Sequence, residues 1–171
     1  MFTSTINIPI RIYLFAGDRA FDITACNQAL NHLAQLVDKS YDDKGNMARN
    51  GICNKLLLDT LSSLEYLSKK YPKSLSNTWV RREFIPNLDE PDIPIEDKMS
   101  TVVEHIGNEI CNASRELSMS GKMMISGGGV HNDYLMEVIR EKLAHQNITC
   151  ETVNNEIAEY KEALLMALMA Y

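Results

Sequence analysis

The apolar and polar positions divide the chain into three stretches of different period. Near the N-terminus isoleucine recurs at Ile6, Ile8, Ile10 and Ile12, with Asn7 and Arg11 between. Alternation of this kind puts one set of side chains on one face of an extended strand, so Thr5–Phe15 is expected as a strand. Ala16-Gly17-Asp18 turns the chain, and Arg19–Ile23 is expected to pair back as a short second strand, completing a β-hairpin. The middle of the chain switches to helical spacing. Asn27–Asp38 carries Leu30, Leu33, Ala34 and Val37 on one stripe, and Asn54–Lys70 carries Leu57, Leu61 and Leu64. The polar stretch Tyr41–Gly51 separates them as a turn-rich segment. Pro72 ends the second helix, because proline cannot continue one.

Pro86–Pro94 combines prolines with the acids Asp89, Glu90 and Asp92 and is expected as a surface connection rather than a core element. Pro94 suits a first helical turn. Behind it, Glu96–Leu117 places Met99, Val102, Val103, Ile106, Ile110, Ala113 and Leu117 at helical spacing, the strongest periodic signal in the chain. This helix should be heavily buried. The last stretch reads as strand Lys122–Ser126, a turn at Gly127-Gly128-Gly129, and a helix capped by Asn132 with Leu135, Met136, Ile139 and Leu143 inward. Strand Ile148–Val153 and a closing helix Glu159–Tyr171 follow. Helices alternating with strands predict one α/β unit, a mixed sheet covered by helices.

Composition narrows the function more than the fold. The 171 residues, 45% apolar and 23% charged, suit one globular domain with its own core. A net charge of −6 leaves no basic stripe for nucleic acid, although a nucleotide needs only a few placed donors. Cys26, Cys53, Cys111 and Cys150 form no CxxC pair, so free thiols in a reducing cytosol are expected instead of a zinc or redox site. No run approaches the roughly 20 apolar residues of a membrane span. Met1–Arg11 lacks the features of a signal peptide. A cytoplasmic protein is expected.

Three segments could carry chemistry. Ser126-Gly127-Gly128-Gly129-Val130-His131-Asn132 joins a strand to a helix, where glycines admit a ligand close to the backbone and a helix N-terminus offers free amides. It has neither dinucleotide nor P-loop spacing, and a tight turn needing positive φ explains the glycines equally well. Asp22 ends a strand just before a helix, a position suited to base chemistry or to plain capping. Pro72-Lys73-Ser74-Leu75-Ser76 offers a lysine and hydroxyls for an anionic substrate, or a solvated helix start.

In this order Phe21-Asp22, Asn27, Tyr41-Asp42-Asp43-Lys44-Gly45, Pro72-Lys73-Ser74, Gly127-Gly128-Gly129 with Asn132, and Lys161-Glu162-Ala163 span nearly the whole chain. Together they resemble the C-terminal half of the anhydro-N-acetylmuramic acid kinases, of the acetate and sugar kinase, heat-shock and actin superfamily. The resemblance implies the C-terminal lobe of an actin-like (ribonuclease H-like) sugar kinase acting in cell-wall recycling. It implies ATP and Mg²⁺ as the family's cofactors, an amino-sugar substrate and a homodimer. Asp22 falls on the catalytic base, which activates the water that opens the 1,6-anhydro ring while the sugar oxygen takes the γ-phosphoryl group. Gly127, Gly128, Gly129 and Asn132 fall on the nucleotide loop, and Asn27, Lys73 and Ser74 on the substrate side. No residue is assigned to a metal.

The sequence departs from the family in ways that bear on activity. The family's Gly-x-Met-Ser-Gly-Thr-Ser phosphate loop, in its N-terminal half, has no counterpart here. A glycine pair in the first strand reads Pro9-Ile10, Gly-Pro-Gly before Asn27 reads Thr24-Ala25-Cys26, and Pro-Lys-Ser-Thr-Gly reads Pro72-Lys73-Ser74-Leu75-Ser76. Each lost glycine is expected to add bulk where backbone approaches phosphate or sugar. Two readings follow. The chain is a kinase lobe incomplete without an N-terminal lobe encoded separately, or a diverged, non-catalytic kinase-like module for binding or assembly.

Overall fold

The computed structural model describes residues 4–7, 11–16 and 19–152. Within them β1 (Ser4–Asn7), β2 (Arg11–Ala16) and β3 (Arg19–Ala25) form an antiparallel meander. On the other side of β1, β4 (Gly121–Ser126) and β5 (Ile148–Thr152) add in parallel, giving the order β3-β2-β1-β4-β5. The mixed sheet agrees with the sequence reading, but its N-terminal part does not. Thr5–Phe15 is two strands, with Thr5 opposite Phe15 across the β1–β2 pair. The sequence between them contains Pro9, which has no amide hydrogen for a ladder. Alternation cannot tell one long strand from two that fold back on each other.

β3 departs from half-buried alternation. Every residue from Phe21 to Cys26 is buried, so both faces of this strand are covered. Its outer edge is covered too: the Asp22 amide donates to the Lys73 carbonyl at 3.2 Å, and the Tyr66 hydroxyl donates to the Asp22 carbonyl at 2.8 Å. Backbone groups on an edge strand need such partners when water is excluded. Phe21 also stacks on Tyr71, ring centres 5.6 Å apart.

The helices explain which faces are dry. α1 (Asn27–Gln35) buries Ala29, Leu30, Leu33 and Ala34 at the expected spacing. The Tyr41–Gly51 stretch is more ordered than its composition suggested. A 3₁₀ turn, Asp43–Gly45, runs into α2 (Asn46–Asn50), whose Met47 and Ala48 are buried. The expected helix Asn54–Lys70 is broken into α3 (Lys55–Ser62), capped by Asn54, and α4 (Glu65–Ser68). The Ser62-Ser63 pair interrupts it, serine hydroxyls competing for backbone partners: the Ser63 hydroxyl donates to the Thr60 carbonyl.

A second correction falls on Pro86–Pro94. α5 (Asn77–Trp79), a π-helical stretch (Val80–Phe84) and α6 (Ile85–Asp89) form one helical run, with Pro86 in the first turn of α6 and Leu88 fully buried. The π-helical turn, closed by the Ile85 amide donating to the Val80 carbonyl, leads into Pro86, which has no amide hydrogen of its own to place, so only the residues after Asp89 connect. α7 (Ile95–Glu116) begins directly after Pro94 and is the central helix, with Met99, Val102, Val103, Ile106 and Ile110 fully buried. It packs against β3, α1, α2, α3 and α8 (Asp133–Ala144). At the α7–α8 crossing Gly107 lies under the Lys142 stem, and Lys142 pairs with Glu104.

The closing helix Glu159–Tyr171, with Lys161-Glu162-Ala163, lies outside the described residues, as do Pro9-Ile10, Gly17-Asp18 and Val153. Among the described residues no helix is long and apolar enough to cross a membrane.

Candidate functional site

The residues singled out in the sequence gather at two places. The first surrounds Asp22, in β3 rather than at its end and almost wholly buried. Its Oδ2 accepts from the Leu75 amide at 2.7 Å and from the Ser74 hydroxyl at 3.2 Å. The Pro72–Ser76 segment therefore orients this carboxylate, and Ser74 and Asp22 are brought together from 52 positions apart. Lys73 points elsewhere. Its Nζ donates to the Leu67 carbonyl at 3.1 Å and sits 4.9 Å from the centre of the Tyr66 ring. It thus caps the C-terminal end of α4, an arrangement favoured by the helix dipole. Burial pulls the Lys73 pKa down, opposed by Glu109 and Glu116.

The second place is a cleft of about 430 Å³. One wall is the glycine loop. Gly127 has φ +99°, a left-handed conformation that disfavours any side chain, and Gly128–His131 then forms a 3₁₀ turn. Asn132 closes the loop by accepting from the Leu135 amide at 2.9 Å, the N-cap expected of it. Asn27 faces this wall: a β-carbon on Gly128 would lie 3.6 Å from its Nδ2. So Asn27 belongs with the glycine loop, although the sequence reading grouped it with Lys73 and Ser74.

The opposite wall is the Tyr41–Lys44 stretch, which was not among the candidate site residues. Asp42 is buried and accepts from the amides of Met47 at 2.8 Å and Ala48 at 3.0 Å, satisfying the start of α2. Lys44 and Gly45 both take positive φ, +55° and +76°. A β-carbon on Gly45 would meet Asn132 Oδ1 at 2.2 Å, so the two walls interlock at this glycine. The signal was present in Asp-Asp-Lys-Gly, a turn composition, but which loop it would meet is a tertiary fact.

The lost glycines before Asn27 do not fill the cleft. Thr24, Ala25 and Cys26 are each fully buried, pointing into the core. Thr24 Oγ1 lies 3.0 Å from His105 Nε2 on α7, and the His105 ring packs on Phe84 at 5.5 Å. Burial pushes the His105 pKa down to about 4, so the ring is neutral at pH 7. Burial likewise pushes the Cys26 thiol up to about 12, against a smaller opposing effect from Asn27, which leaves it an unreactive core thiol.

The cleft suits a nucleotide in having exposed loop backbone, amide side chains and Lys44 along one rim. For Mg²⁺ the fit is poorer. Among the described residues no three His, Cys, Asp or Glu side chains converge as a metal site. In phosphoryl-transfer sites the phosphates themselves commonly supply much of the coordination.

Comparison with known proteins gives the family and the fold. The family described as anhydro-N-acetylmuramic acid kinase matches residues 15–171. Curated proteins of that name are similar to the chain. The one from Photobacterium profundum is 28% identical over 77% of this chain and 37% of its own length. The Haemophilus influenzae protein is 29% identical over 77% and 38%, and that of Salinibacter ruber 27% identical over 90% and 41%. The chain thus spans about two fifths of these relatives. Among solved structures, the activator of the 2-hydroxyisocaproyl-CoA dehydratase from Clostridium difficile with bound ADPNP aligns over 89% of this chain and 54% of its own, at TM-score 0.54 and 14% identity. The Acidaminococcus fermentans (R)-2-hydroxyglutaryl-CoA dehydratase component A aligns over 92% and 56%, at TM-score 0.56 and 13% identity. At such identities they speak for the fold alone, which is actin-like, while the family match over most of the sequence places this chain in the anhydro-N-acetylmuramic acid kinase family.

Proposed function

We propose that this chain provides the nucleotide-contacting and base-bearing part of an ATP-dependent anhydro-N-acetylmuramic acid kinase, and does not complete the reaction alone. The observation that carries this reading is the cleft itself. Gly128, His131 and Asn132 of the glycine loop, Asn27 and the Tyr41–Lys44 turn, distant in sequence, face one another across it. In this reading ATP lies against the glycine loop, and Asp22, held by Ser74 and Leu75, is the base that takes a proton from the attacking water. That water adds to the anomeric carbon as the 1,6-anhydro bond opens, and the released sugar oxygen accepts the γ-phosphoryl group.

Positioning dominates catalysis of phosphoryl transfer and is worth roughly 7–11 kcal/mol where reactants are held in line. The family's phosphate loop has no counterpart in these 171 residues. The expected result with ATP, Mg²⁺ and the anhydro sugar is therefore nucleotide binding without formation of the 6-phosphate. Turnover that disappears in Asp22→Asn would establish Asp22 as the base and overturn the claim of incompleteness. Failure of ATP to bind, with the chain folded, would favour the second reading, a diverged binding or assembly module.

A cytoplasmic homodimer belongs to the same proposal. Ile52 and Leu56, both more than three-quarters exposed, offer apolar contact surface. Sedimentation as a monomer at micromolar concentrations would remove the dimer from it.

A further inference from the structure

The cleft beside the glycine loop has an unengaged flat ring on each of two opposite walls. Tyr41, 60% exposed, stands on the turn side, and His131, also exposed, stands on the glycine-loop side. Among the described residues neither side chain has a hydrogen bond, an ion pair or a ring contact. Other rings of the molecule are engaged: Phe21 stacks on Tyr71, Trp79 packs on Tyr66 and Phe84, Phe84 meets His105, and Tyr134 lies under Arg49. A single exposed tyrosine is ordinary. Two free rings lining one cleft of about 430 Å³ from opposite sides, with the buried Leu30 also in its lining, make a slot suited to a planar group.

Holding a base and reading it are different tasks. A site rejects the wrong base when that base would leave a buried donor or acceptor unpaired. Among the described residues the buried side-chain polar atoms without a partner are Gln28 Oε1 and His105 Nδ1, and neither residue lines the cleft. The buried polar groups that do line it are spent inside the protein. Asp42 accepts from the amides of Met47 and Ala48, and Asn132 Oδ1 accepts from that of Leu135. Asn31, Asp43 and Lys44 are exposed or half-buried, so water can replace whatever a mismatched base fails to offer them.

We propose that Tyr41 and His131 sandwich the nucleobase, and that the cleft therefore takes purine nucleotides as a class without telling adenine from guanine. That a nucleotide occupies the cleft rests on the kinase reading above; how its base is recognised rests on the two rings and on the lining just described. Stacking is indifferent to the edge pattern because every base has a π face, and it strengthens with ring area. Tyr41 and His131 thereby set the nucleotide preference of this chain.

The test is calorimetric titration of the 171-residue chain with ATP, GTP and CTP. ATP and GTP are expected to bind within about threefold of each other, and CTP, with its smaller ring, more weakly than either. Tyr41→Ala should weaken ATP and GTP alike, by about fivefold or more, and Tyr41→Phe, which keeps the ring, should bind both as the wild type does. His131→Ala, on the other wall, should weaken both in the same direction. The melting temperature of each variant should match the wild type, since neither ring has a partner to lose. A preference for ATP over GTP of about tenfold or more would overturn the proposal, because it requires a polar reader of the base edge. CTP binding as tight as that of ATP, or undiminished ATP binding by either alanine variant, would overturn the sandwich. In each of these cases bound ATP leaves the kinase reading standing. A folded chain that binds none of the three nucleotides overturns this proposal together with that reading.

Discussion

Two connections lead from strand to helix beside Asn27: Thr24-Ala25-Cys26, from β3 into α1, and Gly127–His131, from β4 toward α8. The first has lost the glycines of its family pattern and the second has kept them. In the first the added side chains go inward. Thr24 finds His105, and Ala25 and Cys26 fill core volume. In the second Gly127 takes a left-handed conformation and the Gly128 α-carbon faces the cleft, so side chains would act on the turn or on the ligand space. A lost glycine therefore does not by itself close a site. What matters is where its β-carbon would point and whether the backbone needs positive φ.

That contrast can be broken in several places. The largest effect is expected at His105, which anchors the glycine-free connection. Its pKa in the folded protein, about 4, lies below the 6.5 of a free histidine, so protonation opposes folding. The stability it permits is complete above pH 6.5 and is lost as pH falls toward 4, at about 1.4 kcal/mol per pH unit and about 3 kcal/mol in all. Urea unfolding of wild type and His105→Leu across that range should show a steeper acid limb in the wild type. Parallel curves would mean that the His105 ring is not buried beneath the connection as described.

Next comes Gly45→Ala, at the contact between the two walls. The substitution forces alanine to φ +76° and drives its β-carbon into Asn132 Oδ1. Left-handed strain and disturbance of the α8 cap together predict a loss of about 2–3 kcal/mol. Gly127→Ala meets a backbone demand at φ +99°, ψ 174°, a region essentially reserved for glycine, for which about 1–3 kcal/mol is expected. The smallest effect on stability belongs to Gly128→Ala, below about 0.5 kcal/mol, since its new β-carbon makes only an ordinary contact with Asn27 at 3.6 Å. Its signature should appear in ATP titration as weakened binding, because the methyl group enters the cleft. A Gly128→Ala protein that binds ATP like the wild type would separate the glycine loop from the nucleotide.

Much of the fold was legible where local pattern and tertiary environment agree. The Glu96–Leu117 stripe became the buried central helix, Asn132 became the cap it was expected to be, and Lys122–Ser126 became a strand ending at the glycine turn. Legibility failed where punctuation misleads. Pro86 looked like a loop residue but occupies a first helical turn, and the isoleucine alternation ran across Pro9 as if one strand were present. Asp22 was identified by its place in a motif, yet nothing local indicated that Ser74 and Leu75 would orient its carboxylate.

The sequence by itself determined the central helix, the Asn132 cap, the strand before the glycine turn and the family, because helical and strand periods, capping chemistry and motif order are local properties of the chain. Tertiary structure alone decided the partners. It placed Asn27 with the glycine loop instead of with Lys73, turned Lys73 toward the end of α4, and sent the side chains that replaced glycine into the core. Those outcomes depend on which distant segments meet and on the direction of each Cα–Cβ bond when they do, and no local period encodes either.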